Sequence, residues 1–513
     1  MRAGPARRGL HRSPGGWMRT GDSYIESLRD GRNVILDGAP VDDVASHPAF
    51  AAGVCTVARL YDFAADPANR ELMTYESPTD GRPVNLSWLV PRSVDDLRRR
   101  RLAIEAWSEL SFGYLGRSPD HVASFFAGFS GSLDTFAKAG DRYAENVQRF
   151  YEWARDEDLY VTYTIIHPQI DRSKGPHEQY EPNLYASIAR SGDDGVVVRG
   201  AQMLGTGTLM SDYLFVSSIQ PLPPGADDYG LSVAIPVNHP RLRIYPRRPY
   251  GRDVTAAGDY PLSAVYDETD ALVVFDDVDV PAEHVFVDRD RDITFAQFNR
   301  TPAHLLGNTQ AQIRYAVKMR FLAGLASQLA EWSGQAKDRN FQLSLARVAA
   351  QASVPYGMVL AGEYHATIDG NGVARPDPEM LYAAMTMQPA LYRDVTYALR
   401  ELTGGTTIQV PSSVSAWDDP VTRADFERFV RWPEVDAEHR VALLKLAWDA
   451  IGSEFASRHF QYEMFYAGSA SVVQGRLYRN YDWERARSMV LRCLAETPGP
   501  HREPEAEREG GSP

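Results

Sequence analysis

The spacing of apolar residues changes period twice along this chain, which limits it to a multidomain α+β architecture with a sheet-forming segment between two helical ones. From about 158 to 290, β-branched and alternating runs such as "LYVTYTII", "GVVVRGAQML", "DYLFVSSI", "YGLSVAIPV" and "DALVVFDDVDVP" are divided by Gly, Pro and Asp turns. That pattern predicts an antiparallel sheet or barrel. Upstream the pattern is helical: "TGDSYIESLRD" offers Thr20 or Asp22 as an N-cap, and "SVDDLRRRRLAIEAWSELSFGYLG" reads as helix through to Gly116. Downstream, Ile313, Val317, Phe321, Leu325 and Leu329 recur every four residues, and Val441, Leu444, Trp448, Ile451 and Phe455 recur at three and four. With further stripes around 340–366 and 379–402, these predict a bundle. The expected domains are therefore helical over 20–157, β over 158–290 and a helical bundle over 291–496.

The two ends differ from this body. "MRAGPARRGLHRSPGGWMR" carries five arginines and no acid, so residues 1–19 read as a disordered extension, with Met18 as an alternative start. Residues 497–513, "TPGPHREPEAEREGGSP", contain no aliphatic residue beyond alanine and read as a disordered tail. The N-terminus also lacks the apolar segment of a secretory signal.

Composition excludes several classes. A net charge of −14 without a Lys/Arg stripe argues against nucleic acid or an anionic membrane as a partner. Cys55 and Cys493 are the only cysteines, too few for a disulfide framework, a zinc ribbon or a three- or four-cysteine cluster, and no metal site is expected. No stretch reaches the roughly 20 apolar residues of a membrane span. A cytoplasmic small-molecule enzyme is expected. "GTGTLM" lacks the third glycine of a dinucleotide fingerprint and has no βαβ context, and no Walker loop, G-x-S-x-G or H-E-x-x-H occurs.

Two stretches carry candidate chemistry. In "SFGYLGRSPDHVASF", Ser118 can cap the following turn, Pro119 fits the first helical position and Asp120 suits the positive end of the helix dipole, none of which requires a ligand. Arg117 has no such account. A guanidinium there either points to solvent or supplements the positive helix end for an anion or phenolate. In "YVTYTIIHPQIDRSK", Tyr163 lies mid-strand and half buried; the run reads either as an edge strand leaving a barrel, with Asp171 and Arg172 as a local ion pair, or as the wall of a cofactor pocket. "DYPLSAVYDETDALVVFDDVDVPAEHVFV" reads as scaffold.

Taken in order, "TGDSYIESLRDGR", "HPAF", "GRSPDH", "HPQIDRS", "DYPLS", "DETDALVVFDDVDVPAEHVF", "AVKMRFLAGL" and "LLKLAWDAIGSEFASRHFQYEMFYAGS" resemble the 4-hydroxyphenylacetate 3-hydroxylase family. These are the oxygenase components of two-component monooxygenases that use reduced flavin. The resemblance implies an acyl-CoA dehydrogenase-like architecture and a homotetramer. It also implies a separate reductase that delivers reduced FAD, oxygen as co-substrate, a flavin hydroperoxide, and hydroxylation of a phenol ortho to its oxygen.

By the same resemblance Arg117 faces the substrate oxygen. The family's tyrosine four positions later is here His121, and its histidine on the next strand is here Tyr163. The exchange either preserves a pair of hydrogen-bonding groups or marks a different substrate. Ser217 and Ser218 lie close to a second family substrate contact. The flavin contacts carry over to Tyr163, Thr164 and Ile165, to Gln169, Ile170, Asp171 and Arg172, and to Thr206. Gly468 and Ser469 are expected to face a neighbouring subunit's cofactor. The implied substrate is a phenol, tyrosine-like or carrier-bound. N-oxygenation or attack on an indole-like ring, and a silent flavin-binding scaffold, are the alternatives; two cysteines exclude the radical-dehydratase relatives.

Overall fold

The computed structural model describes residues 18–251 and 256–496; the expected extension up to residue 17 and the expected tail from 497 lie outside them. Met18 and Arg19, assigned above to a disordered extension, are instead buried: Arg19 bonds both oxygens of Asp212 at 2.6 and 2.9 Å, and Asp212 Oδ2 also accepts from the backbone of Tyr160 at 2.7 Å. A buried arginine needs such a partner, and the partner ties the chain start to the sheet. Helix Gly21–Ser27 follows, with Thr20 and Ser23 forming a capping box.

The strands are β1 (Val34–Leu36), β2 (Ala39–Val41), β3 (Thr74–Glu76), β4 (Pro83–Asn85), β5 (Val161–Thr164), β6 (Ser187–Gly192), β7 (Gly195–Gln202), β8 (Tyr213–Ser217), β9 (Ser232–Pro236), β10 (Leu242–Pro246), β11 (Ala271–Pro281) and β12 (Val285–Val287). Ten of them build a six-stranded sheet, β2-β1-β10-β11-β7-β6, and a four-stranded sheet, β12-β9-β8-β5; β3 pairs with β4, and a further two-stranded pair joins Thr367–Ile368 to Ala374–Arg375. Pairing is mostly antiparallel, but β1 runs parallel to β10 and β5 parallel to β8. Two short strands from the N-terminal segment thus complete a sheet whose other members come from the middle one. β5 is an edge strand of its sheet, as one reading of its sequence expected.

Helix Pro119–Ser130 is buried continuously from Pro119 to Phe129, its apolar residues broken by the buried polar side chains of Asp120, His121 and Ser124. It packs on helix Ala303–Trp332, and the crossing requires Gly128: a Cβ there would stand 2.3 Å from the backbone nitrogen of Ala303. We expect Gly128→Ala to lower unfolding free energy by about 1–3 kcal/mol. An unchanged denaturant midpoint would show that the two helices can part at no cost. The helix expected to run to Gly116 is shorter, Val94–Glu109. The chain reverses through Phe112 and Gly113, both at positive φ, and a Cβ on Gly113 would lie 2.7 Å from the carbonyl of Arg314 and the nitrogen of Lys318.

Helices Arg339–Tyr364 and Pro378–Thr403 occupy the two expected downstream stripes. The stripe from Val441 to Phe455 is divided between helices Ala437–Ile451 and Glu454–Phe465, with Ser453 capping the second through Ala456 N. Among the described residues no helix is long and apolar enough to cross a membrane.

Candidate active site

The Ser-Pro-Asp turn starts its helix differently from the sequence expectation. Pro119 takes the first helical position, but Ser118 makes no capping bond; its hydroxyl lies 2.5 Å from Asp120 Oδ1. The carboxylate of Glu268, from the turn before β11, accepts from the backbone nitrogens of Gly116 and Arg117, just ahead of the helix, at 2.8 and 2.9 Å. Tyr160 donates to the carbonyl of Arg117 at 2.7 Å. The backbone carrying Arg117 is therefore clamped on both sides.

Its side chain does not reach solvent. The Arg117 guanidinium donates from Nη1 to Tyr462 Oη at 2.8 Å and from Nη2 to the carbonyl of Tyr466 at 3.1 Å, and it stands 5.3 Å from the ring centres of both Tyr163 and Tyr462. Burial opposes its charge, but Tyr163, Tyr462 and Glu268 hold its pKa above the ordinary arginine value, so it is a fixed cation. Burial pushes Tyr462 up to about 12, against the pull of Arg117 and Arg314. Tyr462 therefore presents a neutral phenol to Arg117.

One helical turn on, His121 is fully buried. Its Nδ1 lies 2.8 Å from Gln310 Oε1 and its Nε2 lies 3.3 Å from Tyr163 Oη. Burial and the neighbouring Arg117 hold its pKa far below the ordinary histidine value, so the ring is neutral. Burial likewise raises the pKa of Tyr163. Arg117, His121 and Tyr163, selected on separate stretches, thus meet in one place.

The other candidates are distributed differently. Thr164 donates to the carbonyl of Met203 at 3.0 Å, and Met203 N donates to Ile166 at 3.0 Å, so β5 and buried Ile165 lie against the turn that leads to Thr206. Thr206 donates to Asp270 at 2.7 Å, and Asp270 also pairs with Arg458 and Arg247, which hold its carboxyl below the usual range despite burial. Ser217 donates to the carbonyl of Leu231 and accepts from Gln297, both at 2.8 Å, and Ser218 lies 3.4 Å from the carbonyl of Gln220. Neither serine bonds to the Arg117 group.

Gln169, Ile170 and Arg172 are exposed on the loop after β5. The expected Asp171–Arg172 pair does not form; Asp171 bonds Ser173 and approaches Lys174 at 3.8 Å. Asp171 caps this turn because Ser173 N can reach its carboxylate. Gly468, at φ 103°, and Ser469 follow Tyr466 and lead into helix Ala470–Asn480.

These segments suit a flavin. Thr164, Thr206 and the edge strand β5 offer hydroxyls and backbone groups of both polarities, which the ring edge of a flavin requires. Between the two predicted flavin segments lies buried His167, stacked 4.8 Å from Tyr185 and pushed down to about 4 by burial. Neither its ring nitrogens nor Oε1 of the neighbouring Gln202 completes a well-formed hydrogen bond. Unpaired polar atoms in such a place are open to a polar ligand.

Several members of the site were missed in the sequence. Gln310, Arg314 and Lys318 recur every four residues on helix Ala303–Trp332, all buried, a polar stripe beside the apolar one. Arg314 and Lys318 both pair with Glu463, the latter at 2.7 Å, and Gln388 donates to Glu463 at 2.6 Å. Tyr466 Oη lies 2.5 Å from Gln312. Arg117, Arg314 and Arg458 surround the Tyr462 ring at 5.3, 5.3 and 4.8 Å. The period-four polar stripe was a readable signal; the contribution of Glu268 and Tyr462 depends on contacts across 151 and 345 positions.

The chain is similar to known proteins over most of its length. Residues 20–287 match the family described as 4-hydroxyphenylacetate 3-hydroxylase N terminal, and residues 295–495 match its C-terminal counterpart. The chain is 34% identical to the oxygenase component of 4-nitrophenol 2-monooxygenase from Rhodococcus sp. over 483 residues, covering 93% of this chain and 91% of that protein. It is 33% identical to (3S)-3-amino-3-(3-chloro-4-hydroxyphenyl)propanoyl-[peptidyl-carrier protein SgcC2] monooxygenase from Streptomyces globisporus, covering 88% and 85%. Among solved structures, the oxygenase component (HpaB) of 4-hydroxyphenylacetate 3-monooxygenase complexed with FAD and 4-hydroxyphenylacetate superposes with a TM-score of 0.88 at 31% identity, covering 93% and 98%.

Proposed function

The chain belongs to the 4-hydroxyphenylacetate 3-hydroxylase family, and we propose that Arg117, His121 and Tyr163 form the pocket in which it hydroxylates a phenol ortho to the ring oxygen. It is the oxygenase component of an aromatic monooxygenase that uses FADH2 and oxygen. The observation that carries the site assignment is the convergence of a buried fixed cation, a neutral imidazole and a phenol hydroxyl on one point.

Bound reduced FAD supplies the activated oxygen; the protein's part is to bind, orient and exclude water. Thr164, Ile165 and Thr206 would line the flavin ring, Gln169 to Arg172 its polar end, and Gly468 and Ser469 the cofactor of a neighbouring subunit. Arg117 donates to the ring oxygen and stabilises the partial negative charge that this oxygen carries as the carbonyl of the attacked ring. A homotetramer accords with the C-terminal helices, where Val472, Met489, Val490, Leu491 and Leu494 are 49–67% exposed in the single chain. The reduced flavin comes from a separate reductase, and a cytoplasmic location would give access to it.

The substrate is a free or carrier-tethered phenol. The substrates in the names of both similar enzymes above, and the compound in the similar solved complex, are phenols, which disfavours the indole-like and N-oxygenase alternatives. Retention of the Arg117 pocket disfavours a silent scaffold. The test is a panel of phenols with a generic flavin reductase, read by mass spectrometry for gain of one oxygen atom; no oxygenated product from any of them would sink the reading. In the same assay His121→Tyr with Tyr163→His is expected to move preference at least tenfold toward simple hydroxyphenyl acids. An unchanged profile would show that the exchange does not set specificity.

A further inference from the structure

The hydrogen-bond polarity of this pocket follows from a carboxylate two side chains away from it. Asp120 Oδ1 sits 3.0 Å from Gln310 Nε2 and 2.5 Å from the Ser118 hydroxyl. A carboxylate oxygen can only accept, so it turns the NH2 end of Gln310 toward itself and leaves Oε1 facing His121. Gln310 Oε1 can only accept too, so His121 carries its proton on Nδ1. Its Nε2 is then a bare acceptor, and the hydrogen bond at 3.3 Å runs from the Tyr163 hydroxyl to His121.

Tyr163 therefore points lone pairs, not a proton, at the pocket. Arg117, Arg314, Asp120 and His304 are the charged or titratable groups around His121 besides Tyr163, and the cations among them disfavour a second proton on the ring. Burial pushes Asp120 up to about 6, so it is ionised at neutral pH and above.

Resting on the phenol-hydroxylase reading above, we infer that the Asp120–Gln310–His121–Tyr163 chain makes the pocket a receptor for the neutral, hydrogen-donating phenol, with Gln310 as the positioning residue that fixes this polarity. Arg117 donates to the phenol oxygen while the phenol's own O–H donates to Tyr163 Oη. The proton is retained until the ring's electron pair has formed a bond from the ortho carbon to the hydroxyl end of the activated oxygen, whose O–O bond breaks and whose remaining oxygen takes a proton from solvent; the phenol O–H is then strongly acidic. The O–H bond then breaks: its electron pair forms the ring ketone, its proton passes to Tyr163, and the Tyr163 proton passes to His121 Nε2. The proton returns to the ring oxygen as the C–H proton leaves for solvent and the ring becomes aromatic again.

The test is binding, without turnover, to the anaerobic enzyme holding reduced FAD. The first probe is 4-nitrophenol, whose colour reports its ionisation. Wild type should raise the midpoint of the bound dye by about one pH unit or more, the direction set by a hydrogen bond to the neutral form. Tyr163→Phe should lower it below that of the free dye, because Arg117 then acts alone, and Gln310→Leu should remove most of the rise. A structural role for Gln310 would weaken binding without moving the midpoint. The second probe is a phenol and its O-methyl ether: wild type should prefer the phenol at least tenfold, and Tyr163→Phe should lose that preference. A lowered midpoint in wild type, or equal affinity for phenol and ether, overturns the inference. Failure of the parent reading is distinct, since neither dye, phenol nor ether would then bind.

Discussion

Arg117→Ala is expected to reduce kcat/KM for the phenol substrate by about 10²- to 10³-fold, the usual consequence of removing one preorganised donor to a reacting oxygen. Affinity for reduced FAD should change by less than about threefold. The asymmetry follows from the geometry: the guanidinium lies between Tyr163 and Tyr462, whereas the Thr164–Thr206 seam is held by bonds to Met203 and Asp270 that do not involve Arg117. Arg117→Lys should recover only part of the loss, because an ammonium lacks the planar fork that reaches Tyr462 and the Tyr466 carbonyl together. Separate titrations of flavin and phenol give the answer. Equal loss of both ligands would make Arg117 an architectural residue that fastens Tyr466 and the turn behind it.

The second large effect concerns stability. Arg314, Lys318 and Glu463 are all but fully buried, and Glu463→Ala leaves two cations facing each other without a carboxylate. Loss of about 3–5 kcal/mol is expected, seen as a much lower denaturant midpoint. Activity should fall as well, because Glu463 is flanked by Tyr462 and near Tyr466, the two residues that receive Arg117. A midpoint near that of wild type would mean that water or a rearranged Gln388 replaces the carboxylate.

The triad also predicts a pH dependence. Arg314 and Lys318 hold Glu463 down to about 2 despite its burial, below its ordinary 4.5. A carboxyl with a depressed folded pKa contributes stability that is complete above about 4.5 and is lost as pH falls toward 2. Burial, with Arg314 beside it, pushes Lys318 down to about 8 from 10.5, so that group opposes folding at neutral pH and the opposition fades as pH rises through this window. The stability gap between wild type and Glu463→Gln should therefore be full above about pH 4.5 and narrow as pH falls toward 2, which denaturation measured across that range checks.

Much of the architecture was legible because burial imposes a period on any chain. Alternation between 158 and 290 specified strands, and apolar residues every three or four positions specified the flanking helices. Local rules succeeded where both partners lie within one turn, as in the Thr20–Ser23 capping box. They failed where one motif offered two local partners. Ser118 gives its hydroxyl to Asp120 Oδ1 and caps no backbone nitrogen, and Asp171 binds Ser173 in place of Arg172, so nearer polar groups took the bonds that the motifs had assigned elsewhere.

For the site, the order of short motifs brought Arg117, His121 and Tyr163 forward as a set, and no spacing in the sequence says that they touch. Sequence alone determined which groups are available: a guanidinium at a helix start, an imidazole one turn later, and a phenol on an edge strand. Only the tertiary structure decided the direction of the hydrogen bonds among them. Direction depends on Asp120 and Gln310, which lie 190 positions apart, because a buried donor must find its acceptor wherever the fold brings one.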